Sequence, residues 1–118
     1  MKRTIFDESV TPGSGNVFSD LGFGPREAAD MTVKAQLALR IHDRIKELGL
    51  TQMKAAQRLG VSQPDVSKLI NGRHTRFSVD KMMALLNALE VDIDIVIRPR
   101  QHGRTVRPGV MRVREAVA

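Results

Sequence analysis

The chain has 118 residues, with 19 Lys and Arg against 13 Asp and Glu for a formal net charge of +6, four Phe, and no Cys, Trp or Tyr. That length holds one small domain with tails, and the lack of cysteine excludes a disulfide framework or a thiolate zinc site, so a cytoplasmic location is expected. No apolar run approaches the ~18–20 residues needed to cross a bilayer, and Met1-Lys2-Arg3 leads into Thr-Ile-Phe-Asp-Glu rather than an apolar signal core, so no membrane association is expected.

Residues 1–24 carry Phe6, Phe18 and Phe23 within a stretch that includes Thr-Pro-Gly-Ser-Gly-Asn, a composition that cannot build a core alone. Two readings stand: Phe18, Leu21 and Phe23 strap the N-terminus onto the globular body, or they bind another protein. Pro25 suits a first helical turn, where its missing N–H has no helical partner. Over residues 26–48, Val33, Leu37, Ile41, Ile45 and Leu48 recur at spacings of three and four, which predicts an amphipathic helix stopped by Gly49.

Thr51 supplies an N-cap hydroxyl for a second helix, 52–59, stopped by Gly60. Ser62 caps a third that begins at Gln63. Ser62-Gln-Pro-Asp65 fits a capping box, and Pro64 is tolerated because it lies in the first turn. Asn71-Gly72 closes that helix. Ser78 caps a fourth over 79–89, whose Val79, Met82, Met83, Leu85, Leu86 and Leu89 form a broad core face.

The period then changes. Val91, Ile93, Ile95 and Ile97 alternate with Asp92, Asp94, Val96 and Arg98, the pattern of a half-buried strand ended by Pro99. A lone strand leaves a row of backbone groups to be covered. The expected solution is a homodimer through antiparallel pairing of residues 91–98, the alternatives being an N-terminal strand around Val17-Phe18 or the tail. Residues 99–118 are rich in Arg, Gly and Pro, with a short Val110-Met-Arg-Val-Arg114 alternation. They read either as a flexible basic tail or as a hairpin built on Arg107-Pro-Gly109.

The charge is unevenly placed. Residues 51–76 hold a net +4 and residues 98–118 a net +5, flanking a net −3 over 77–97. The first basic block coincides with the most informative stretch, Gln52–Asn71. Two short helices crossing around a three-residue turn need a small residue at the crossing, which Ala56 provides, and a turn residue that accepts positive φ, which Gly60 provides. Their inward positions, Ala55, Leu59, Val61, Val66 and Leu69, are all apolar. These are the requirements of a helix-turn-helix.

In that docking geometry the N-terminal part of the third helix enters the major groove. Gln63, Pro64, Asp65, Ser67 and Lys68 are the candidates for meeting base edges. Gln63 suits a bidentate pair with adenine and Lys68 a donor to guanine, while Pro64 offers only apolar contact. Asp65 has two readings, a helix cap or an acceptor from cytosine. Gln52, at the start of the second helix, is placed to hold a phosphate, and Ser62, Arg73, Thr75 and Arg76 are further phosphate candidates. His74 reads as an exposed loop residue. His42, His74 and His102 lack metal-ligand spacing, there is no Walker-type loop and no Cys nucleophile, so neither a cofactor nor catalysis is expected.

Leu50-Thr-Gln52, Ala56, Leu59-Gly-Val-Ser-Gln63, Val66-Ser67 and Ile70-Asn-Gly72 resemble the phage-repressor (Cro/cI, or XRE) helix-turn-helix family over roughly residues 33–90. Asn16-Val-Phe-Ser-Asp-Leu-Gly-Phe23 and Val91–Pro99 are similar to its HigA-like antitoxin branch, whose members are often encoded beside a RelE/HigB-type ribonuclease toxin. The tail beyond Pro99 is longer than that pattern.

The expected fold is therefore mainly α, a five-helix repressor-like helix-turn-helix domain with a C-terminal β-strand for dimerisation. The expected organisation is an N-terminal segment 1–24, a DNA-binding domain 25–90, a dimerisation strand 91–98 and a basic tail 99–118. The expected partners are double-stranded DNA with a palindromic operator, a second copy of the chain and, as the resemblance implies, a toxin. A transcriptional regulator without a toxin is the alternative.

Overall fold

The computed structural model describes residues 24–73, 76–99 and 109–116, and the described residues contain four helices: α1 (Pro25–Glu47), α2 (Gln52–Leu59), α3 (Gln63–Ile70) and α4 (Val79–Ala88). α1 packs against α3 and α4, and α2 against α3 and α4. Five helices are expected for the domain, and four lie among the described residues. After Pro25 the rest of α1 contains neither Gly nor Pro, so the helix expected over 26–48 runs undivided for ~34 Å.

α1 starts where Gly24 N–H donates to Glu27 Oε1 at 3.3 Å. Its stripe Val33, Leu37, Ile41 and Ile45 is buried throughout. The helix ends in a Schellman turn: Leu50 N–H donates to Ile45 O at 3.1 Å and Gly49 N–H to Lys46 O at 3.0 Å, with Gly49 at φ +67°. One residue later Thr51 Oγ1 accepts from Lys54 N–H at 3.1 Å and opens α2. The stop of one helix and the cap of the next are thus adjacent, which sets a sharp change of direction.

The helical core is one cluster. Ile41, Ala55, Val66, Met82 and Leu89 have no solvent exposure, and Leu69, Leu85 and Leu86 have almost none. Phe77 joins them, so the fourth phenylalanine serves packing. Ser78 Oγ accepts from Lys81 N–H at 3.1 Å to cap α4.

α4 ends in an arrangement that its sequence does not announce. Val91 N–H donates to Leu86 O at 3.1 Å and Glu90 N–H to Asn87 O at 3.0 Å, the same turn that closes α1, but the residue at φ +66° is Glu90 instead of glycine. A residue with a Cβ pays about 1 kcal/mol for that conformation. Two arginines surround it. Arg58 Nη2 lies 2.7 Å from Glu90 Oε2, and Arg44 Nη2 lies 3.9 Å from Glu90 Oε1. The same side chains donate to the carbonyls at the end of α4, Arg44 Nε to Leu89 O at 2.9 Å and Arg58 Nε to Ala88 O at 3.3 Å. Cations at a helix C-terminus are favoured there by its unsatisfied carbonyls and dipole.

Residues 91–99 are free of helix, and among the described residues no strand ladder is formed, so the strand expected over 91–98 is not shown there. The physical reason is that a strand is completed by hydrogen bonds to a neighbour, which the sequence pattern of one segment cannot supply. Val91 and Ile93 rest half-buried against the helical core, whereas Ile95, Val96 and Ile97 are 73%, 75% and 89% exposed. The C-terminal residues 109–116 are extended as well. Val113 packs on the core and its N–H donates to Oε1 of the buried Gln36 on α1 at 2.8 Å. Residues 109–116 are therefore not a free arm, and among the described residues they form no strand ladder. The hairpin turn at Arg107-Pro-Gly109, and the strap formed by Phe18, Leu21 and Phe23, fall on or extend into residues outside those described.

Candidate nucleic-acid interface

The site is built on α2, the turn after it and α3. Ala55 and Ala56 are buried at the crossing, where the absence of side-chain bulk lets the two short helices approach. Gly60 at φ +69° makes the turn, and Val61 N–H donates back to Ala56 O at 3.1 Å. A residue with a Cβ would be strained at that φ. Ser62 Oγ then accepts from Asp65 N–H at 3.2 Å and starts α3.

α3 has two distinct faces. Val66 and Leu69 are fully buried and fix the helix on the core, while Gln63 and Pro64 are exposed at its N-terminus. Asp65, Ser67 and Lys68 are half-buried along its flank. Ser67 Oγ accepts from Asn71 Nδ2 at 3.2 Å, a contact that holds the hydroxyl along the helix. The five base-edge candidates therefore belong to one rigid element, with Gln63 and Pro64 as the most accessible. Asp65 contributes its backbone N–H to the cap and an acidic charge in the first turn, which the helix dipole favours.

The phosphate candidates are distributed around that helix. Ser62 is exposed next to Gln63, and Gln52 is half-buried at the start of α2. Arg73 and Arg76 are exposed on either side of the loop after α3, with Arg73 N–H donating to Lys68 O at 2.8 Å to close the helix. Thr75 and His74 lie outside the described residues. Lys54, Arg58 and Lys68 complete the cationic surroundings of the two helices, so Asp65 is the one acidic side chain between Thr51 and Arg76.

Reading the sequence alone missed Arg44, Arg58 and Glu90. In the sequence Arg58 is one of the charges in the net +4 of residues 51–76, and in the fold it ties α2, the first helix of the motif, to the end of α4. The pair is separated by 32 residues, and no local pattern marks Glu90 as the holder of two guanidinium groups. Among the described residues no cluster of three His, Cys, Asp or Glu side chains is placed to hold a metal ion, and no helix is long and apolar enough to cross a membrane.

A family model described as a helix-turn-helix domain matches residues 17–98. A solved structure named "Putative XRE Family Transcriptional Regulator" is similar at 39% identity and a TM-score of 0.69, the match covering 76% of this chain and 99% of that one. No curated protein matches the chain. The family match begins inside the Phe-bearing N-terminal segment and ends at Arg98, so the Arg-rich tail lies beyond it.

Proposed function

Because the chain belongs to the helix-turn-helix domain family and is an XRE-type transcriptional regulator, we propose that it represses transcription as a homodimer on a palindromic operator, with α3 reading bases in the major groove. The observation that carries this reading is the division of α3 into a fully buried side, Val66 and Leu69, and an exposed N-terminal end, Gln63 and Pro64. A helix anchored in this way presents the same few side chains to every site it meets, as direct readout requires. Ser62, Gln52, Arg73 and Arg76 hold the backbone on either side of it, and Thr75 joins them.

Selection of binding sites from random duplex DNA tests the proposal. The expected result is an enriched inverted repeat with half-sites about one helical turn, ~34 Å, apart. Recovery of no preferred sequence would overturn it.

The finer reading is that this regulator is an antitoxin that controls its own operon and neutralises a RelE/HigB-like ribonuclease. It rests on the resemblance of Asn16–Phe23 and Val91–Pro99 to the HigA-like branch, with Phe18, Leu21 and Phe23 as the segment that would bind the toxin. Co-expression with the neighbouring gene and purification of the chain tests it: a small basic ribonuclease is expected to co-purify and to be released by Phe18→Ala with Phe23→Ala. Co-purification of nothing favours a regulator without a toxin.

A further inference from the structure

Residues 91–97, the arm, depart from the end of α4 through a junction in which each carbonyl from Leu85 to Leu89 has a donor. Leu85 O accepts from Leu89 N–H at 3.2 Å, Leu86 O from Val91 N–H at 3.1 Å and Asn87 O from Glu90 N–H at 3.0 Å. The last two, on Ala88 and Leu89, accept from Arg58 Nε at 3.3 Å and Arg44 Nε at 2.9 Å. One further bond runs forward: the exposed Asn87 donates from Nδ2 to Val91 O at 3.0 Å. The first residue of the arm is thus bonded through both its N–H and its carbonyl to the final turn of α4.

The same junction is tied to the DNA-reading helices. Arg58 belongs to α2 and Arg44 to α1, and the two carboxylate oxygens of Glu90 face their guanidinium groups at 2.7 and 3.9 Å. α2 packs more on α3 than on α4, so Arg58 is a direct link from the helix-turn-helix pair to the base of the arm. A glycine at position 90 would take the left-handed conformation without strain, as Gly49 does after α1, but would hold neither arginine.

We infer that Asn87, Glu90, Arg58 and Arg44 are positioning residues that fix the direction of the arm relative to α2 and α3, and so set the spacing of operator half-sites that the protein accepts. The inference rests on the proposed dimer on an inverted repeat, with the arm joining its two copies. Val91 and Ile93 also rest on the core, but apolar packing has no preferred direction, and the alternating Asp92 and Asp94 are exposed. Hydrogen bonds weaken steeply as they bend, and here they supply the direction. Inserting one base pair between half-sites shifts one of them by ~3.4 Å and turns it by ~35° about the DNA axis. Shared between two identical copies, each junction would have to yield about half of that turn. The bonded junction resists it. With Gly at position 90 and Ala at 87, a few backbone dihedrals supply it.

The test uses the inverted repeat recovered by selection, rebuilt with its half-sites one base pair closer or farther apart, and titrated with the full chain and its variants. Asn87→Ala and Glu90→Gly both change exposed positions, and circular dichroism checks that each variant folds. The native chain is expected to bind the altered spacings about tenfold or more weakly than the selected one, and the double variant about threefold or less. Binding of a duplex with one half-site is expected to be the same for both, a readout that separates positioning from support of the fold. Where the double variant fails to fold, Asn87→Ala decides by the same comparison, because it leaves every contact of Glu90 in place. An equal spacing penalty in the native chain and the variant overturns the inference and leaves the dimer standing, as does an equal loss of affinity for the single half-site and the full repeat. A native chain that holds one half-site as tightly as the repeat overturns the dimer and this inference with it.

Discussion

Glu90 combines an unfavourable backbone conformation with favourable ionic contacts, and two substitutions separate them. At φ +66° a side chain costs about 1 kcal/mol relative to glycine. The contacts to Arg58 at 2.7 Å and Arg44 at 3.9 Å involve a Glu90 side chain that is 69% exposed, so solvent screening limits their joint contribution to about 0.5–1 kcal/mol. Glu90→Gly loses the ion pairs and relieves the strain, and the expected net change is within about 0.5 kcal/mol of zero. Glu90→Ala loses the ion pairs and keeps the strain, so it is expected to destabilise by about 0.5–1 kcal/mol. Urea unfolding at one fixed protein concentration measures both, as a change in midpoint at constant slope. Added salt should narrow the gap between the native chain and Glu90→Ala while leaving the gap between the two variants. Equal stabilities for the Gly and Ala variants would refute the strain, and a loss above about 2 kcal/mol in Glu90→Gly would refute the assignment of this contact to the screened, weak class.

Gln63→Ala is expected to weaken operator binding by about 1–3 kcal/mol and to relax preference at one base position, read by titrating a set of single-base operator variants; a uniform loss would show that Gln63 reads no base. Arg76→Ala should weaken binding to all sequences alike and reduce the slope of log affinity against log salt by about one contact. Ile95→Pro removes a ladder donor in the middle of the arm, so it should shift sedimentation from dimer to monomer, and a surviving dimer would place the interface elsewhere.

Most of the motif could be read from neighbouring residues. Thr51, Ser62 and Ser78 each accept from the N–H three residues on, as their hydroxyls ahead of an apolar-periodic run implied. Gly49 and Gly60 end helices in the left-handed conformation, and the apolar stripes of all four helices are the buried faces. These features depend on contacts within one or two turns. A periodicity also exposes its own inward face, so the outward residues Gln63 and Pro64 followed once α3 was placed.

The expected strand shows the limit of that reasoning. Alternation from Val91 to Ile97 specifies an extended segment, but a ladder needs a second backbone at 4.7–4.9 Å, and none of that information lies in the segment itself. Beyond Ile93 the alternation ceases to predict burial, because Ile95 and Ile97 are as open as Val96.

What the sequence by itself determined was the set of helices, their caps and stops, and the face of α3 left for a ligand. Each is decided by backbone groups and side chains close along the chain. The tertiary structure alone decided that Glu90 would take a glycine's place, with guanidinium groups arriving from 32 and 46 residues away. It alone decided that the basic tail would return to α1, where Val113 meets Gln36 across 77 residues. A buried amide oxygen requires a donor, and a helix end requires something to meet its carbonyls. Which distant group supplies them is settled only when the packed helices bring that group within hydrogen-bond distance.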